Sequence, residues 1–82
     1  MVIVDYERHF INLLKKIKDN HLKIKVMKQI RKIISNPKIG KPMQYGRKGT
    51  RELYISPFRL SYLYIEHDDK VVFADLYHKK RQ

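Results

Sequence analysis

The feature that most limits what this chain can fold into is a change of hydrophobic period at Asn36-Pro37. Before that point, apolar residues recur as they do along one face of a helix. Tyr6, Phe10, Leu13, Leu14 and Ile17 fall at i, i+4, i+7, i+8 and i+11. Leu22, Val26, Ile30, Ile33 and Ile34 repeat the stripe after a break at Asp19-Asn20, which predicts a second helix over 22–34. After it, residues 51–56 alternate with period two, and 60–65 and 71–77 are further strand-like runs separated by Pro57 and by a polar turn, His67-Asp68-Asp69-Lys70. The residue before a proline avoids the helical region, so the second helix ends at Ser35-Asn36.

At the other end, Val2, Ile3 and Val4 are β-branched and predict a short first strand, with Asp5 as N-cap of the first helix. The order is therefore β-α-α-β-β-β. That is an α+β domain: a helical hairpin on one face of a small, mainly antiparallel sheet whose other face is open. Residues 1–82 form one domain. Between the helices and the strands lies a predicted loop, 38–50, carrying Lys38, Lys41, Arg47 and Lys48 among its glycines. A loop of that length in so small a domain points to function.

Charge narrows the partners. Nineteen Lys and Arg oppose eight Asp and Glu, a net +11. A compact domain cannot hide that excess, so its surface potential favours a polyanion such as RNA or an acidic protein. Adaptation to heat raises Glu together with Lys, and Glu is scarce here. The sequence contains no cysteine, which excludes a disulfide framework and thiol chemistry and fits a cytoplasmic setting. Neither a signal peptide nor a membrane span is expected, and neither are a phosphate-binding glycine loop, a metal-ligand cluster, a metal or another cofactor.

Strand alternation points Leu53 and Ile55 to the helices and Glu52 and Tyr54 to the open face. Arg59 joins them there if the next strand is in matching register, and His78 ends the last strand near the same edge. A carboxylate, a guanidinium and an imidazole within a basic rim suit RNA cleavage through the ribose 2′-hydroxyl. That reaction needs proton transfer at two oxygens and fixed positive charge over the phosphate. One residue of slip would exchange the two faces. His9, His21 and His67 lack any metal-ligand spacing and receive no role.

The succession NPKIGKPM, RELYI, PFRLSYLY, an acidic turn and VVFADLYHKK resembles the RelE/ParE superfamily of type II toxin–antitoxin toxins over nearly the whole chain. The resemblance implies a ribosome-dependent mRNA endonuclease, acting without a metal and neutralised by a cognate acidic antitoxin that wraps around it. Its partners would be that antitoxin and the ribosome with mRNA. Arg59 matches the family arginine that contacts the scissile phosphate. Tyr77-His78 resembles the terminal Tyr-His of YoeB-type members, whose histidine acts in acid–base chemistry. Lys80 is nearest to the arginine that supports the leaving group. Lys41, Arg47, Lys48, Arg51, Lys79 and Arg81 would contact RNA.

The chain also departs from that pattern. RelE-type members carry strand lysines where it has Glu52 and Tyr54, and the YoeB-type glutamate would fall near Met43. The general base is left open between Glu52 and His78. Two other functions fit the same fold: a ParE-like gyrase inhibitor without nuclease activity, and a non-toxic RNA-binding member.

Overall fold

The computed structural model of the protein describes residues 2–43 and 49–81, the side chain of Arg81 excepted. Strand β1 (Ile3–Tyr6) leads into helices α1 (Arg8–Lys16) and α2 (Asn20–Ser35). Four strands follow: β2 (Lys41–Pro42), β3 (Thr50–Ile55), β4 (Phe58–Ile65) and β5 (Lys70–His78). Short 3₁₀ turns occupy Glu66–Asp68 and Lys79–Arg81. The strands form one mixed sheet in the order β1-β5-β4-β3-β2, with β1 parallel to β5 and the other neighbours antiparallel.

The helices supply Phe10, Val26, Ile30 and Ile33 to a buried core, and the sheet supplies Ile55, Leu60, Tyr62, Val71, Phe73 and Leu76. These are the stripe residues of the two helices meeting one face of the strands, so the α+β architecture follows from the two periodicities. Phe10 and Phe73 stack with ring centroids 5.7 Å apart, and Tyr6 stacks on Phe73 at 5.2 Å. Tyr6 is the last residue of β1 and not the first turn of the helix.

The helix ends differ from expectation. Asp5 lies within β1 and bonds the Tyr6 amide, while Glu7 takes the N-cap position of α1 without a side-chain cap bond. The capping aspartate is Asp19. Its carboxylate accepts from the His21 and Leu22 amides at 2.9 and 3.4 Å, which starts α2 two residues earlier than the apolar stripe implied. Ile33 and Ile34 end the stripe, and Asn36 and Pro37 end the helix.

The segment 38–50 is not all loop. Lys41 and Pro42 pair with Glu52 and Arg51 as a two-residue edge strand. Proline is tolerated at such an edge because it has no N–H to leave unpaired. The approach to β2 is held from below. Tyr62 is fully buried, donates its hydroxyl hydrogen to the Pro37 carbonyl at 2.7 Å and accepts from the Gly40 amide at 2.9 Å. A Cβ on residue 40 would stand 2.5 Å from that hydroxyl oxygen, so only glycine fits. Burial raises the Tyr62 phenol above its ordinary value. The Arg51 guanidinium completes the clasp, donating to the carbonyls of Gly40 at 2.7 Å and Lys38 at 3.2 Å.

One irregularity determines what the sheet presents. Ser61 pairs with Asp75 but Tyr62 pairs with Phe73, so Ala74 is an extra residue in β5. Such a bulge shifts the alternation by one. Val71 and Phe73 face the helices before it, and Leu76 does so after it. Asp75 and Tyr77 are thereby turned to the open face, and His78 to the helical one.

Candidate functional site

The open face carries two rows of side chains across three strands. Tyr54, Arg59 and Tyr77 are direct cross-strand neighbours on β3, β4 and β5. Glu52, Ser61 and Asp75 form the row beside them, and Lys41 of β2 stands opposite Glu52. Neighbours in one register share a face of the sheet.

Diagonal bonds knit the rows together. Arg59 Nη1 donates to Glu52 Oε1 at 2.9 Å, and the Tyr77 hydroxyl donates to Glu52 Oε2 at 2.8 Å. The Glu52 and Arg59 side chains are 19% and 27% exposed, enough shielding for the pair to fix the guanidinium. That bond uses one nitrogen of a group with five N–H donors, so Arg59 can hold an anion at the same time. A groove of about 290 Å³ runs alongside, lined by Lys41, Glu52, Tyr54 and Arg59 with Ile39 and Leu53. The Lys79 ammonium lies over the exposed Tyr54 ring, 5.6 Å from its centroid. The turn after β5 thus brings its first lysine back to this face.

The expected residues separate into groups. Arg59, Glu52, Lys41 and Lys79 converge on the open face. Lys80 is exposed on the same C-terminal turn, where its amide donates to His78 Nδ1 at 3.2 Å. The expectation that His78 reaches this face is corrected by the bulge. His78 pairs with Phe58 and sets its ring edge-on to that phenylalanine at 5.4 Å. Phe58 in turn lines a cavity with Leu13, Ile17, Leu22 and Leu76 on the helical side. Arg51, expected to contact RNA, instead turns its guanidinium to the carbonyls of Lys38 and Gly40. Arg47, Lys48 and the Arg81 side chain lie outside the described residues.

Tyr77 is a site residue that its place beside His78 in the sequence does not reveal: the bulge makes it the neighbour of Arg59. Among the described residues, no group of three or more His, Asp or Glu is placed to hold a metal ion. No helix is long and apolar enough to cross a membrane.

Solved structures supply a close match for this arrangement of elements. The isolated RelE toxin of E. coli superposes with a TM-score of 0.83 at 15% identity, covering 100% of this chain and 88% of that one. The fold is that of the RelE toxins. A chain of the toxin–antitoxin complex RelBE2 from Mycobacterium tuberculosis matches with a TM-score of 0.80 at 20% identity over 95% of this chain and 98% of that one. A chain of the archaeal RelE–RelB complex from Pyrococcus horikoshii matches at 0.78 with 10% identity over 99% and 98%. No protein-family model and no curated protein matches the sequence. At these identities the RelE likeness is one of backbone architecture, and the side chains on the open face have to be read from this chain.

Proposed function

We propose that this RelE-like chain is the toxin of a type II toxin–antitoxin pair and that it cuts mRNA on the ribosome. The observation that carries the reading is Arg59: a guanidinium fixed by Glu52 on the exposed face of a sheet, within a domain of net charge +11. In the proposed reaction the ribose 2′-oxygen attacks the adjacent phosphorus and the P–O5′ bond breaks. Arg59 binds the phosphate and offsets the charge that builds on it in the transition state. Glu52 holds Arg59 with one oxygen and Tyr77 with the other, which fixes the geometry without a metal. Lys41 and Lys79 flank the strand path, and Lys80 supplies positive charge toward the leaving oxygen. His78 belongs to this scheme only if its ring leaves Phe58.

The partner that neutralises the domain is, in this reading, an acidic antitoxin segment. Two of the similar structures are toxin–antitoxin complexes, and the positive surface suits such a segment.

Expression of the wild-type chain should arrest translation, with primer extension mapping new 5′ ends inside translated codons. Arg59→Ala should remove both effects. Growth arrest with intact mRNA and induction of a DNA-damage response would favour gyrase inhibition instead. Salt-sensitive RNA binding without cleavage would favour a non-toxic binder.

A further inference from the structure

The nuclease reading needs a proton acceptor for the 2′-hydroxyl, and both expected residues are otherwise engaged. Each oxygen of Glu52 already accepts a hydrogen bond. The His78 ring is on the helical side against Phe58. The open face nevertheless carries an imidazole.

Strand β1 stops opposite Phe73, so β5 becomes an edge from Ala74 onward. The chain turns there, with the Glu7 amide bonding the Phe73 carbonyl, and the first turn of α1 covers that edge. His9 in this turn places Nε2 3.1 Å from Asp75 Oδ1. Asp75 is itself oriented, because the same oxygen accepts from the Leu76 amide at 2.8 Å. The pair opens into a cavity of about 340 Å³ lined also by Glu7, Thr50, Ser61 and Tyr77.

We propose that His9, oriented by Asp75, is the general base of the RNA cleavage proposed above; the inference rests on that reading. A carboxylate only accepts, so Nε2 carries the ring proton and Nδ1 keeps a lone pair for the substrate. Asp75, Ser61 and Glu52 stand in one row on adjacent strands. At about 4.8 Å per strand, the Asp75 backbone is roughly 10 Å from that of Glu52. Arg59 and Tyr77 are neighbours on β4 and β5 in the adjoining row, so a phosphate on Arg59 would set its ribose over Tyr77, on the β5 side where His9 stands. His9 takes the 2′-hydroxyl proton, the 2′-oxygen bonds to phosphorus, and the P–O5′ bond breaks. The departing 5′-oxygen takes a proton from solvent and the imidazolium returns one, so no proton is consumed. The bulge at Ala74 is what joins the parts, since it turns Asp75 and Tyr77 to the same face as Arg59.

The test is single-turnover cleavage of mRNA on programmed ribosomes by the full chain, followed across pH. The groups facing His9 are Asp75 and Tyr77 from β5 and Glu7 from its own turn. His9→Gln should slow the chemical step by about 10²–10⁴-fold, the span of general base catalysis. It should also remove the acid limb of the pH–rate profile while leaving half-saturation by ribosomes in place. Asp75→Ala keeps the imidazole but removes the oxygen that orients it, and should fall between His9→Gln and wild type. His9 is exposed, so circular dichroism should show both variants folded. A His9→Gln enzyme near the wild-type rate with its acid limb intact, while Arg59→Ala is inactive, would overturn this inference and leave the nuclease reading standing. A wild-type chain that cuts nothing would overturn both.

Discussion

Replacing Tyr62 with phenylalanine removes one oxygen atom and tests how the site's outer wall is held. The hydroxyl is fully buried and serves two backbone groups, the Gly40 amide and the Pro37 carbonyl. Tyr62→Phe strands both beneath the approach to β2. A buried polar group left without its partner costs about 1–3 kcal/mol, and the Pro37 carbonyl is only part-buried, so the loss should total about 2–4 kcal/mol. A domain of this size has roughly 4–12 kcal/mol of stability in all. The melting temperature should therefore fall by roughly 10–25 °C. Lys41 follows this segment, so its pairing with Glu52 should loosen as well. Thermal melts and urea titrations of the two proteins by circular dichroism make the measurement. A drop of no more than about 2 °C would show that water replaces the hydroxyl at no cost, and the clasp argument would fail. The pH dependence adds a second signature. Burial raises the Tyr62 phenol, so the unfolded chain releases its proton first. Stability should fall as pH climbs past about 10, and the slope should be smaller in Tyr62→Phe.

Further outcomes follow from the same geometry. Gly40→Ala should destabilise at least as much as Tyr62→Phe, and the double variant should recover only part of the loss, because the ring carbons also stand 2.8 and 3.0 Å from the added Cβ; a melt series on the three proteins decides it. Phe10→Ala removes a fully buried ring packed on Tyr6 and Phe73 and should cost about 3–5 kcal/mol in urea unfolding. Glu52→Ala removes the carboxylate that fixes Arg59, so mRNA cleavage should drop by about 10²–10³-fold, the scale for loss of a pre-organised charge contact, while Glu52→Gln, which still accepts one hydrogen bond, should lose less.

The sequence made the layers legible and the faces only partly so. Phe10, Val26, Ile30 and Ile33 carry the helical period plainly, and Leu53 and Ile55 mark the inner face of β3, so Glu52 could be placed outward in advance. Asp5 and Asp19 look alike in sequence as helix caps; what separates them is that β1 extends through Tyr6 before the chain turns. The larger gap is at β5. Simple alternation from Val71 and Phe73 sends His78 outward and Tyr77 inward, and the extra Ala74 reverses both. Nothing in VVFADLYH marks a bulge except a small residue in mid-strand. His9 is silent in the sequence for a different reason: its partner Asp75 is 66 positions away. Only the end of β1 opposite Phe73 brings them together. Arg51 looked like one more cation of the basic loop, yet strand parity sends it to the loop's own carbonyls.

Whether Arg59 grips a phosphate from the open face is measured most directly by cleavage with purified protein on mRNA-programmed ribosomes. The wild type should cut within the decoded codon in the presence of a metal chelator that leaves the ribosomes intact. Arg59→Ala should bind the same ribosomes and leave the message whole. Equal cutting by the two proteins would contradict the account, because the guanidinium at the centre of the site would then have no part in the reaction.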